Sequence, residues 1–243
     1  MAEQPGPVLI IGATGIFGKR LARHLSRTDG LRLVLTSRRV AKAQALVDQL
    51  IGEGATARLA AVALDYTDGL RQRLQELRPF AVVEVSGPFH GAGYDTARAA
   101  IECGAHFIDL ADARDYLAGF RDELDDTAST TGVAAIAGAS STPPLSGCVV
   151  DTLPAGWQRV DHIDLAISPA GRSEVGRAVI EAIMSYAGKP VVTWQNGRLA
   201  ETTGWAETWM LDMPGLGTRR VAAVASFDAE RLGERHDVNG RER

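Results

Sequence analysis

Three groups of residues in this sequence have types and spacings suited to chemistry. The first is Gly12-Ala13-Thr14-Gly15-Ile16-Phe17-Gly18, set between an apolar run and an amphipathic one. In the frame Ala13-x-Gly15-x-x-Gly18, alanine stands where a dinucleotide fingerprint has its first glycine, and Gly12 precedes it. Gly15 would let a pyrophosphate approach the backbone, where a helix N-terminus offers free N–H groups and the positive end of its dipole. Gly18 would let the helix pack closely on the first strand. The competing reading is a glycine turn with no ligand. The strand–loop–helix context and the position near the N-terminus favour the phosphate site.

The second group lies at the end of the next apolar run, in LTSRRVAK. A site for NAD usually carries Asp or Glu about 20 residues after the glycines, to bind the ribose 2′-hydroxyl. No acid occurs between Asp29 and Asp48. Ser37, Arg38 and Arg39 supply hydroxyl and guanidinium donors suited to a 2′-phosphate instead, so NADP is expected over NAD. Against this, the arginines could simply open a solvated helix.

The third group lies at later strand ends. Asp65, closing VALDY, is placed to meet the adenine or to serve as a cap or turn residue. Ser86-Gly87-Pro88-Phe89 follows the fourth strand and would lie under the ribose and nicotinamide. In the loop beyond it, His90 and Tyr94 are the best-placed groups for proton transfer or substrate contact, or else ordinary loop and helix-start residues. Asp109 and Asp112 could bind an amine, and Asp112 could equally cap a helix. Ser140, Ser141 and Thr142 sit at the expected domain junction, and Lys189 and Trp194 beyond it. Tyr66, Tyr94, Tyr116 and Tyr186 all lack a lysine four residues on, so a Tyr-x-x-x-Lys mechanism is not supported. No Cys, His or Asp cluster has metal-ligand spacing, and no metal site is expected.

The elements that must position these residues alternate. Strands are expected at Val8–Ile11, Leu31–Thr36, Arg58–Leu64, Ala81–Val85, His106–Leu110 and Val133–Ala137, with helices between them. One of those helices starts near Asp112. Such alternation predicts a doubly wound, mostly parallel Rossmann-type α/β sheet over residues 1–140. After GASSTPPLSG the pattern changes. A helix at Ser146–Leu153, a strand at His162–Ser168, a helix at Glu174–Tyr186, a hairpin turning at Asn196-Gly197 and a strand at Val221–Phe227 predict a smaller α+β domain over 141–243. RLGERHDVNGRER is polar and without apolar periodicity, and is expected to fray.

The formal charge of −4 and the lack of a Lys/Arg stripe argue against a nucleic-acid partner. MAEQPGPV lacks a signal-peptide layout, and no apolar run approaches membrane-spanning length. Cys103 and Cys148 have no metal or redox spacing and are expected to be buried thiols, which places the protein in the cytoplasm.

Taken together, GATGIFG, SRR, ALD, SGPFHGAGYDTARAAIECGAHFIDLAD and GASSTPPLSGCVVDTL resemble the saccharopine dehydrogenase-like (saccharopine reductase-type) NADP-binding family. The run from Ser86 to Asp112 is the most specific part, and the resemblance spans about residues 7–153. It implies a Rossmann domain joined to a mixed α/β domain that often mediates dimers, with oxidoreductase activity on an amine or carbonyl substrate. It also implies that Gly12, Thr14, Gly15, Ile16, Ser37, Arg38, Asp65, Ser86, Gly87 and Pro88 occupy cofactor-contacting positions. Family members usually run longer, with a C-terminal segment that returns to the nucleotide domain, so the second domain is expected to be incomplete here. The expected function is hydride transfer between NADP and an unidentified carbonyl, imine or alkene, by a homodimer acting on a small molecule. The alternative is a non-catalytic NADP-binding sensor, regulatory subunit or structural dimer.

Overall fold

The computed structural model describes residues 5–153, 156–168, 177–206 and 208–238. The chain divides into two compact units, each discontinuous in sequence. The first comprises Met1–Gly87, Ala92–Leu110 and Gly119–Ala137; the second comprises Pro88–Gly91, Ala111–Ala118 and Gly138–Arg243.

Val8-Leu9-Ile10-Ile11 has no polar side chain, and a strand covered on both faces suits such a run. It forms β1 (Val8–Ile11), the centre of the first unit. Around it lie β2 (Arg32–Ser37), β3 (Arg58–Ala63), β4 (Ala81–Glu84), β5 (His106–Asp109) and β6 (Ala135–Ile136). Every pairing is parallel, in the order β3-β2-β1-β4-β5-β6. The intervening helices are α1 (Ile16–Leu25), α2 (Val40–Gly52), α3 (Leu70–Leu77), α4 (Asp95–Glu102) and α5 (Arg114–Thr131). This is a Rossmann-type sheet. Ile10, Leu33 and Leu35 pack with Ala22 of α1 and with Leu46, Val47 and Leu50 of α2. In α2 the buried face, Ala43, Leu46, Val47 and Leu50, is the apolar stripe the sequence carries, whereas α1 buries Gly18 and Ala22 and leaves Phe17 exposed. The strand order reverses between β1 and β4, and the carboxyl ends of strands at such a reversal are where α/β sheets bind ligands.

The second unit contains α6 (Ser146–Thr152), α7 (Arg177–Ser185) and two antiparallel hairpins. β7 (Pro190–Gln195) and β8 (Arg198–Thr203) turn at Asn196 and Gly197, with φ of 53° and 74°. Two consecutive positive φ values make the turn whose twist matches the strands, and Asn-Gly tolerates them. β9 (Thr208–Met213) pairs with β10 (Gly217–Ala222), and α8 (Phe227–Arg235) follows. Val150, Ile163, Trp194, Ala229, Leu232 and Val238 form this unit's core. The Trp194 indole N–H donates to the Val238 carbonyl at 2.6 Å.

The second unit departs from several sequence expectations. His162–Ser168 joins no sheet; Ile163 buries into the core instead, so its alternating apolar residues reflect packing and not a ladder. The last strand is Gly217–Ala222 rather than Val221–Phe227, and its partner β9 had no strong signal. The start of RLGERHDVNGRER is not frayed, because Arg231–Arg235 is the second half of α8. Ser226 caps that helix by accepting the Asp228 N–H at 3.1 Å, and its buried face is Asp228, Ala229, Leu232 and Gly233. Residues 239–243 lie outside the described residues, as do residues 174–176 of the helix expected at Glu174–Tyr186. In α5, helical structure begins at Arg114, two residues beyond Asp112. Cys148 is exposed on α6 rather than buried, and Cys103 is half-buried. Among the described residues, no helix is long and apolar enough to cross a membrane.

Candidate functional site

β1 runs directly into Gly12, which holds φ of +82°. A Cβ there would lie 3.0 Å from the Ser86 backbone and side chain, so the loops after β1 and β4 abut at the point where the strand order reverses. Gly15 donates its N–H to the Gly12 carbonyl at 3.0 Å and becomes the N-cap of α1. That helix begins with no side-chain cap and no acid in its first turn. Its leading N–H groups, starting at Ile16 and Phe17, therefore remain available to an anion. Thr14 is half-buried beside them, and Phe17 is exposed. Gly18 is buried, and a Cβ on it would stand 2.2 Å from the Gly12 carbonyl oxygen.

Ser37 closes β2 in register with Ala63, and its carbonyl accepts the Leu64 N–H at 3.1 Å. Its hydroxyl accepts the Arg39 N–H at 3.3 Å, and Arg38 and Arg39 are exposed. Asp65 stands beside them. Its Oδ1 accepts from the Thr67 hydroxyl (2.7 Å) and N–H (3.1 Å). Those two bonds, followed by the Arg38 charge, hold its carboxyl below the usual range. Asp65 thus makes a turn and also faces the positive edge of the site. The structure brings Gly12, Gly15, Gly18 and Ser86 together at one place and Ser37, Arg38 and Asp65 at another. Two hollows of about 260 Å³ flank α3, and Asp65 lines one of them.

On the side of β1 away from β2 and β3 lies a carboxylate that sequence reasoning missed, next to Asp109, which it names only as a possible amine ligand. Glu84 ends β4 in register with Ile11 on one side and Asp109 on the other. Both carboxyls are buried, at 8% and 0% exposure. The Ser86 hydroxyl donates to Glu84 Oε1 at 2.9 Å. Burial pushes the Glu84 carboxyl up to about 7, opposed by the Ser86 and Thr96 bonds and assisted by the Asp109 charge. The available signal was a lone carboxylate inside the apolar run AVVEV.

Gly87 ends the first unit's segment, and Pro88 and His90 belong to the second. His90 Nε2 meets Tyr186 Oη at 2.5 Å, so its partner is a residue 96 positions away. Tyr94 belongs to the first unit, where its ring edges onto Phe120 at 5.9 Å. Its hydroxyl occupies space beside Gly119 where a Cβ would come within 2.6 Å. Lys189 is exposed and Trp194 is buried in the second core. Among the described residues, no group of three His, Cys, Asp or Glu side chains could hold a metal ion.

Comparison with known proteins bears on the first of these places. The family described as saccharopine dehydrogenase NADP binding domain matches residues 8–136, more than half of the chain. The chain belongs to this family. The matched span starts at β1 and ends at β6, so it takes in the whole parallel sheet together with the glycine loop, the Ser37–Arg39 turn and the Ser86 loop. Its cofactor is NADP. The residues fit that assignment: Gly12 and Gly18 leave room that a Cβ would fill, and Ser37 and Arg38 offer the donors a 2′-phosphate requires.

No curated protein matches the chain. Among solved structures, a β-ketoacyl-ACP reductase of Bacteroides thetaiotaomicron is 17% identical, covering 55% of this chain and 75% of its own, with a TM-score of 0.45. A short-chain dehydrogenase of Sphingobium yanoikuyae in complex with NADPH is 19% identical, covering 54% and 70%, with a TM-score of 0.37. A metagenomic short-chain oxidoreductase in complex with NADP is 21% identical, covering 62% and 90%, with a TM-score of 0.38. The fold assignment rests on the sheet order of the saccharopine dehydrogenase-type domain itself, not on these likenesses.

Proposed function

We propose that the protein is an NADP-dependent oxidoreductase that transfers a hydride to or from a small carbonyl, imine or alkene substrate. The observation that carries the reading is the uncapped start of α1, seated through Gly18 on the Gly12 loop, with Ser37, Arg38 and Arg39 at the next strand end. A helix N-terminus binds the pyrophosphate, and guanidinium donors bind the phosphate that distinguishes NADP from NAD. When bound, NADPH supplies a hydride; the protein supplies orientation and the accompanying proton.

Calorimetry with NADPH and NADH tests the cofactor arm. Arg38→Ala is expected to weaken NADPH by about 10- to 100-fold, roughly the effect of one charge-assisted phosphate contact, while changing NADH less than about threefold. Equal losses for both would remove the 2′-phosphate assignment. Absence of NADPH binding at millimolar concentration would end the reading as a whole. Consumption of NADPH with a carbonyl, imine or activated-alkene panel separates an enzyme from a sensor.

The reading extends to a cytoplasmic homodimer. Support for a dimer comes from apolar side chains exposed on the second unit: Ile180 and Met184 on α7, Trp205, and Met210 on β9. Sedimentation equilibrium is expected to give twice the chain mass; a monomer at high micromolar concentration would rule the dimer out.

A further inference from the structure

Glu84 and Asp109 end neighbouring strands as Cα partners, so their side chains stand on the same face of the sheet. Both belong to the first unit, as do Gly12, Ser86 and Thr96. The backbone ladder holds β4 on β1 as far as Val85, whose N–H donates to the Ile11 carbonyl at 2.9 Å. Ser86 is the first residue beyond that ladder. Its hydroxyl turns back to Glu84 Oε1, while its N, Cα and Cβ would stand 3.0 Å from a Cβ on Gly12. One hydrogen bond therefore ties a buried carboxyl to the residue packed on the cofactor loop.

The surroundings of Glu84 suit a neutral group. Among the described residues, the one charge that acts on it is that of Asp109, which has the same sign. Ile11, its partner on β1, is apolar. On α4, the Thr96 side chain bonds to the carboxyl, whereas Asp95 is exposed and Arg98 pairs with Glu123 at 3.2 Å. From α5, Phe120 stacks on Phe107 of β5 at 6.2 Å. Burial outweighs the Ser86 and Thr96 bonds and, with Asp109, raises the carboxyl to about 7. An anion in this place gains by admitting water. β4 and β5 are pinned by their ladders and Thr96 by α4, so the cover that yields is the loop at Ser86.

We propose that Glu84 is a positioning residue for NADP(H): its neutral carboxyl holds Ser86 against Gly12 in the arrangement that accepts the cofactor, and ionisation releases Ser86. The released form must close before it binds, which lowers affinity by the fraction that is closed. Reciprocally, binding draws a proton from solvent onto Glu84. The proton stays on the carboxyl, and no bond of the cofactor changes. The inference rests on the cofactor arm of the reading above.

The test is calorimetry of NADPH on the whole chain between about pH 6 and 9. Glu84→Gln keeps an acceptor for Ser86 and cannot ionise. Relative to it, the unaltered protein is expected to lose about tenfold in affinity across this range, within the ordinary span of coupling between two sites. The 2′-phosphate of NADPH titrates near about 6 with both proteins, so its effect cancels. At about pH 7.5, buffers of different ionisation heat are expected to show about half a proton taken up per NADPH, the uptake that tenfold coupling requires near the midpoint, and none with Glu84→Gln. Ser86→Ala keeps the carboxyl but removes the link. It is expected to bind less tightly at about pH 6 and to vary with pH by about threefold or less. Should Glu84→Gln fail to fold, the proton count and Ser86→Ala decide. Parallel profiles for the unaltered and Glu84→Gln proteins, no proton uptake, or the full pH dependence in Ser86→Ala overturns this positioning role and leaves the NADP assignment standing. Absence of NADPH binding by the unaltered protein at every pH overturns that assignment, and this one with it.

Discussion

Gly18→Ala is expected to abolish NADPH binding and to cost the first unit about 3 kcal/mol, the upper end of ordinary overpacking. The added Cβ would stand 2.2 Å from the Gly12 carbonyl oxygen and 2.7 Å from two backbone atoms of Ala13. No flexible side chain is present to yield, so relief requires α1 to lift away from the end of β1. That movement displaces the N–H groups on which the pyrophosphate rests. Gly15→Ala supplies the control. Its backbone, at φ −75°, accepts any residue, and the nearest atom to its Cβ is 3.2 Å away. Gly15→Ala should therefore keep most of the stability yet weaken NADPH, because the methyl group covers the phosphate approach. Urea unfolding and calorimetry on the two variants read this contrast. A Gly18→Ala protein with stability and affinity near those of the unaltered chain would show that α1 is not seated on the loop.

The second large effect belongs to Glu84. Its carboxyl ionises near pH 7 in the folded protein, against an ordinary value of 4.5. Below about pH 4.5 the group is protonated in both states and stability does not depend on it. Between 4.5 and 7 the folded state holds the proton that the unfolded chain releases, so stability falls as pH rises. Above about pH 7 the loss is complete, at about 3 kcal/mol for a shift of this size. Glu84→Gln retains an oxygen for the Ser86 hydroxyl and has no charge to desolvate. It should match the unaltered protein near pH 4.5 and exceed it by about 2–3 kcal/mol at pH 8, allowing for relaxation around the Asp109 carboxyl. Urea midpoints measured from pH 4.5 to 8 test this; parallel curves for the two proteins would mean that the buried carboxyl is not titrating.

Much of the first unit was readable because its determinants are local. A doubly covered strand must be apolar throughout, as at Val8–Ile11, and a helix on one face must repeat every three to four residues. The glycine loop and the Ser37–Arg39 turn follow directly from such elements, so residue spacing located them. The second unit resisted for physical reasons. The buried face of α8 is Asp228, Ala229, Leu232 and Gly233, in which one large apolar residue leaves little periodicity to detect. Glycine sits there because Trp194 lies against it: a Cβ on Gly233 would come within 2.3 Å of the indole. A sequence cannot display that constraint, since the two residues belong to different elements. The same holds for His90 and Tyr186, whose pairing no spacing rule connects. Glu84 was visible as an anomaly in AVVEV, but its partner Asp109 required the β4–β5 register.

The position of β1 in the sheet also bears on how the protein is made. β1 pairs with β2, which follows within the next 25 residues, but its other neighbour, β4, begins at Ala81. As the chain leaves the ribosome, the β1–β2 pair can close early, whereas the flank that meets Ser86 must wait until Ala81–Glu84 has been made. The phosphate cradle is therefore completed late in the synthesis of its own domain. Until then, one edge of β1 is open and its apolar side chains are uncovered, an exposure that ends only when β4 pairs with it.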